Sequence, residues 1–216
     1  MDRPTNAKRI ELSPVMFDAK IRPFIDPPLS HIGRTLANAG ISANALTFIG
    51  LAMGLGGAVA IASGHFGWGL AGIIANRLID GLDGAVARAS KPTTLGGYFD
   101  IVADFAFYVS IPLAFGFANA ANTQAALVLV ASFVLTGVSF LAFAVIAAER
   151  GEETTAHGKK SFFYSTGIAE GTETVIVFVL MALFPQWFNS LAYGFAALCV
   201  LTVLQRSALA IIQFKD

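Results

Sequence analysis

Six long apolar stretches separated by short polar breaks constrain this chain more than any other feature. A bilayer core of about 30 Å is crossed by roughly twenty apolar helical residues, and the stretches near 45–64, 66–88, 97–118, 125–149, 166–186 and 188–212 meet or approach that length. Backbone polar groups in lipid must bond within their own segment, so such stretches read as helices. Composition agrees, because 56% of the 216 residues are hydrophobic and 13% are charged, whereas about a quarter are charged in soluble domains. Mean hydropathy is +0.68. The expected fold is an all-α integral membrane protein with six transmembrane helices. Ser63-Gly64, Asn119 to Thr123 and Pro185-Gln186 supply the turns between neighbouring spans.

The charges are sorted by side. Formal net charge is zero, so no general attraction to nucleic acid is expected. The fourteen basic residues are Arg3, Lys8, Arg9, Lys20, Arg22, Arg34, Arg77, Arg88, Lys91, Arg150, Lys159, Lys160, Arg206 and Lys215, and none lies in those three turns. By the positive-inside rule, both termini, the 89–96 turn and the 150–165 loop are expected to be cytoplasmic, and an even number of spans agrees. No apolar segment before Ala45 reads as a signal peptide. Phe17, Ile21, Phe24 and Ile25 alternate with Lys20 and Arg22, the pattern of a short amphipathic helix lying in the membrane interface. Pro14, Pro23, Pro27 and Pro28 favour a loosely structured leader instead. The chain thus divides into an N-terminal segment, 1–44, and a membrane domain, 45–216. The single Cys199 reads as a packed or lipid-facing thiol, and His31 and His65 as interface residues.

Acidic residues concentrate where the second and third spans meet. The chain reads Asp80-Gly-Leu-Asp83-Gly84-Ala-Val-Ala87-Arg88, turns through Lys91-Pro92, and continues Gly96-Gly-Tyr-Phe-Asp100-Ile-Val-Ala-Asp104. Positions 80, 83, 84, 87 and 88 share one helical face, as do 96, 100 and 104. A short connection makes the two helices antiparallel neighbours whose polar stripes face each other. Four carboxylates near a membrane face repel one another and are costly to desolvate, so a cation is required. Oxygen donors without His or Cys nearby select hard ions, Mg²⁺ or Mn²⁺. Two such ions suit an in-line displacement at phosphorus. A cluster paired with Arg77, Arg88 and Lys91 for structure alone leaves the small residues on the same face unexplained.

The pattern Asp-x2-Asp-Gly-x2-Ala-Arg-x7-Gly-x3-Asp-x3-Asp at 80–104 resembles the motif of the CDP-alcohol phosphatidyltransferase family. Gly40-Ile-Ser-Ala-Asn44-Ala-Leu-Thr47 resembles the family's segment entering the first span, with Ala43 where many members have Pro. The resemblance implies transfer of a phosphatidyl group from CDP-diacylglycerol to an alcohol or phosphorylated alcohol, with CMP released. It assigns Asp80, Asp83, Asp100 and Asp104 to the metals and Asp104 also to general-base catalysis. Asp80, Gly84, Ala87, Arg88, Asn44 and Thr47 would contact the CDP moiety. A homodimer in a bacterial inner membrane is also implied, with the active site on the cytoplasmic side.

The remaining polar residues define expectations of their own. Lys159, Lys160 and Arg206 are candidates for holding an anionic acceptor, the lysines equally for contact with anionic lipid. Arg206 is expected near the cytoplasmic end of the last span, where it snorkels or reaches the site. Glu170 and Glu173 enter the fifth span, and Arg77 is expected to tie to one of them across helices. The stretch from Lys160 to Thr174 resembles a bacterial branch whose acceptor is not established. A transporter and a membrane phosphohydrolase are the competing readings. Acids gathered at one face on continuous helices, with no internal repeat, fit a transporter poorly.

Overall fold

The computed structural model describes residues 17–150 and 167–215, with side chains from residue 27 onward. Its α-helices are α1 (Phe17–Asn38), α2 (Ala43–Ala62), α3 (Phe66–Ala89), α4 (Thr94–Ala118), α5 (Thr123–Glu149), α6 (Gly171–Leu183) and α7 (Phe188–Gln213). Single 3-10 turns, Ala120–Asn122 and Pro185–Trp187, precede α5 and α7. No strand occurs among the described residues.

Local chemistry sets these boundaries. Gly40 takes φ +81° just past α1, a left-handed conformation glycine enters without a Cβ penalty. It lets the Ile41 N–H return to the Leu36 carbonyl at 3.1 Å, closing α1. Ser42 then caps α2 by accepting from the Ala45 N–H at 3.2 Å. Gly64, φ +80°, ends α2 in the same way. Thr93 caps α4 by accepting from the Gly96 N–H at 3.0 Å.

Helices α2 to α7 fall on the six apolar stretches. Four segments are long and apolar enough to cross a bilayer: Ala43–Ala62, Thr94–Ala118, Ala120–Glu149 and Pro185–Gln213. Helix α3 is diluted by Arg77, Asp80, Asp83 and Arg88. The fifth stretch, expected over 166–186, yields only the 13 residues of α6, about 20 Å at 1.5 Å per residue. Its start is delayed because the Glu170 N–H is tied to Glu173 Oε2 at 3.3 Å, and its end comes before Pro185. The helix expected before the first span is longer than the sequence pattern foretold. It runs to Asn38 because its second half packs on α3, with Gly33 against Ala85 and Leu29 against Gly81.

Helix α2 is central. It packs on both α3 and α4, while α4 packs on α5, α5 on α7, and α6 on α3. The α2–α3 approach is backbone to backbone, since a Cβ at Gly72 would lie 2.5 Å from Gly57 Cα. Small residues permit such contact in membranes, where packing replaces the hydrophobic drive between helices. Below it lies an aromatic core in which Phe115 stacks on Phe188 at 4.6 Å and Phe107 meets Phe178 edge-on at 5.9 Å. Trp68 and Phe117 are 75% and 79% exposed, an outward apolar surface suited to lipid.

Candidate metal centre

The acids converge because α3 and α4 both lean on α2 while making little backbone contact with each other. The sequence reading made them neighbours with facing polar stripes, and those stripes line the gap that separates the two helices. Asp80, Asp83 and Asp100 each offer an oxygen into one group whose members lie within 4.8 Å of one another. Asp83 is buried at 5% exposure. Thr47 on α2 donates its hydroxyl to Asp83 Oδ2 at 2.7 Å, fixing that carboxylate from behind.

Asp104, one turn beyond Asp100, lines the same cleft but stands outside this group. Its Oδ1 accepts from Arg77 Nη2 at 2.9 Å, and Arg77 Nη1 lies 3.5 Å from Asp80. The expected tie from Arg77 to Glu170 or Glu173 is therefore not made. The guanidinium reaches Asp104 on α4 instead, and Glu170 and Glu173 serve the N-terminus of α6. Asn76, Phe107 and Tyr108, which surround Arg77, were missed in the sequence. The polar pair Asn76-Arg77 inside an apolar span was a signal for the first of them.

Among the described residues, neither Asp83 nor Asp100 has a basic ion-pair partner. Three carboxylates packed this closely, with Arg77 reaching only Asp80 of the three, repel unless a cation joins them. The donors are all oxygen, from two helices, with room between. They fit a hard divalent cation such as Mg²⁺ or Mn²⁺.

The other expected site residues distribute unevenly. Gly84 and Arg88 line the cleft, which measures about 730 Å³, and a Cβ at Gly84 would meet Arg88 Nη1 at 3.2 Å. Ala87 is half-buried on the same helix. Asn44 sits at the α4 entrance, where a Cβ at Gly96 would lie 3.1 Å from its Oδ1. Lys159 and Lys160, with His157 and Ser161, lie outside the described residues. Arg206 does not snorkel. It is 4% exposed and donates to the Thr136 carbonyl at 2.9 Å and Ser139 Oγ at 2.7 Å, because α7 packs on α5 there. It lines a smaller cavity of about 140 Å³ that shares Phe105, Tyr108, Phe140 and Glu170 with the main cleft.

Known proteins carry the same architecture. The chain is 44% identical over 194 residues to inner membrane protein YnjF of Escherichia coli K12, an alignment covering 88% of this chain and 93% of that protein. It is 32% identical over 197 residues to archaetidylinositol phosphate synthase of Pyrococcus horikoshii, covering 87% and 93%. In structure it resembles the phosphatidylinositol phosphate synthase PgsA1 of Mycobacterium tuberculosis at 20% identity. The TM-score is 0.62 to the form with CDP-DAG bound, covering 85% of this chain and 93% of that one. It is 0.63 to the complex with manganese and citrate, covering 83% and 87%. Residues 40–206, which include α2 to α6 and the acidic cleft, match the CDP-alcohol phosphatidyltransferase family, and the chain belongs to that family.

Proposed function

We propose that this protein is a metal-dependent phosphatidyltransferase that moves a phosphatidyl group from CDP-diacylglycerol to an alcohol and releases CMP. The observation that carries this reading is the group of three carboxylates, Asp80, Asp83 and Asp100, in the gap between α3 and α4. They would hold two divalent cations, which when bound supply charge for the phosphoryl oxygens and the leaving CMP. Thr47 keeps Asp83 in the ligating orientation. Gly84 and Ala87 leave the α3 face open to the nucleotide, Arg88 offers a planar fork to the diphosphate, and Asn44 and Asp80 flank the same CDP moiety. Asp104, the fourth acid beside the cations, takes the proton of the acceptor hydroxyl as its oxygen bonds to phosphorus. The bond from phosphorus to the CMP oxygen breaks, and CMP departs with the electron pair. Lys159, Lys160 and Arg206 would stand on the acceptor side, suited to an anionic or phosphorylated alcohol.

The same reading sets the membrane arrangement. Helices α2 to α7 form six spans in one membrane domain, 45–216, and α1 belongs to an N-terminal segment that lies in the interface. Both termini and the acidic cleft face the cytoplasm of a bacterial inner membrane, and the protein works as a homodimer. The inner-membrane relative supports the membrane location.

The test is a screen of purified protein with CDP-diacylglycerol, Mg²⁺ or Mn²⁺, and single acceptors: glycerol phosphate, inositol, inositol phosphate, serine, choline and ethanolamine. The expected result is CMP release that needs one acceptor and yields its phosphatidyl ester by mass spectrometry. CMP release without any acceptor would make the protein a hydrolase, and none under any condition would remove the proposal.

A further inference from the structure

Arg77 is held on more sides than a simple counter-ion needs. Its Nε donates to Asn76 Oδ1 at 2.8 Å, and Nη1 donates to the Tyr108 hydroxyl at 3.3 Å. Its guanidinium lies 4.6 Å from the centre of the Phe107 ring. Asn76 is itself anchored, donating from Nδ2 to the Gly50 carbonyl of α2 at 2.9 Å. The space for this arrangement depends on Gly54, where a Cβ would collide with the Phe107 ring and crowd the Asn76 carboxamide. An unbroken chain of contacts thus runs from the backbone of α2 through Asn76 and Arg77 to Asp104 Oδ1.

That chain accounts for the separation of the four acids. Asp104 follows Asp100 by one turn and lines the same cleft, yet the close group is Asp80, Asp83 and Asp100. The Arg77 bond occupies Oδ1 and leaves Oδ2 without a hydrogen-bond partner among the described residues. An acid that serves as a base needs a free oxygen and a fixed orientation more than it needs a cation. We propose that Arg77 is a positioning residue: it keeps Asp104 out of the cation-binding group and holds it in the orientation in which Oδ2 accepts the acceptor proton. The proposal rests on the transferase reading.

The experiment compares wild type, Arg77→Gln, Arg77→Lys, Asp104→Asn and the double variant Arg77→Gln/Asp104→Asn in one detergent. Mn²⁺ affinity is read by electron paramagnetic resonance, and CMP release by steady-state kinetics. Freed from Arg77, Asp104 joins the other acids, so Arg77→Gln binds Mn²⁺ more tightly, by about threefold or more, and Asp104→Asn in the same chain reverses the gain. Arg77→Gln lowers kcat about a hundredfold with KM for CDP-diacylglycerol little changed. Arg77→Lys recovers part of the loss. The double variant is scarcely slower than Asp104→Asn alone, because both changes disable one group. An Arg77→Gln enzyme with wild-type kcat, or with Mn²⁺ binding weakened as in Asp83→Asn, overturns the proposal. If wild type releases no CMP, the transferase reading fails separately. The Mn²⁺ comparison then still decides whether Arg77 restrains Asp104.

Discussion

At the scale of single residues, the centre is organised by hydrogen bonds that reach it from behind. Thr47 and Asp83 are 36 positions apart in the chain and 2.7 Å apart in space. Groups that orient a metal ligand are worth about 10–100-fold in metal affinity. Thr47→Val keeps the shape and removes the hydroxyl, and it is expected to weaken Mn²⁺ binding about tenfold with helix content unchanged by circular dichroism. Unaltered affinity would show that Asp83 needs no such support. Asp83→Asn is expected to abolish CMP release while the protein still inserts and purifies, and measurable turnover in that variant would contradict its role. The acids themselves were legible in the sequence, because i, i+3 and i+4 spacing puts them on shared faces. Their partners were not. Periodicity says which face a side chain occupies, and nothing in it says that Arg77 meets Asp104 rather than Glu170, or that Arg206 turns into α5.

At the scale of elements, the site rests on α2, against which both α3 and α4 pack. The Gly57–Gly72 contact sets how closely α3 approaches α2 and therefore where Asp80 and Asp83 sit. Gly72→Val forces the two backbones apart, at about 1–3 kcal/mol for overpacking a tight contact. It is expected to lower the thermal midpoint in detergent and to reduce CMP release. Gly67→Ala, where an added Cβ meets nothing within 4 Å, is expected to leave both unchanged, and equal effects of the two substitutions would contradict the account. The helices were readable from apolar runs, whereas the caps Ser42 and Thr93 emerge only from the structure. The shortness of α6 was not, since Glu170 and Glu173 at i, i+3 look alike whether they line a span or end one. Nor was the width of the α3–α4 gap visible: a short connection made the two helices neighbours with facing polar stripes, and it did not say that both would pack on α2 rather than on each other.

At the scale of the whole molecule, an outward apolar surface and an acidic cleft fit the proposed work of the protein where lipid meets water. The proposed topology puts the 89–96 turn and the 119–123 turn on opposite sides. In a Cys199→Ala background, a cysteine at Ala121 is expected to react with a membrane-impermeant maleimide on intact cells, and one at Ser90 only after permeabilisation. The reverse pattern would invert the orientation. The proposal comes from the location of the basic residues, whose absence from three turns is a global pattern needing no tertiary detail. All of it depends on carboxylates from α3 and α4 sharing cations. Anomalous scattering from crystals grown with Mn²⁺ measures this most directly: the account predicts manganese between Asp80, Asp83 and Asp100, and manganese bound elsewhere, or those side chains turned apart with no ion between them, would contradict it.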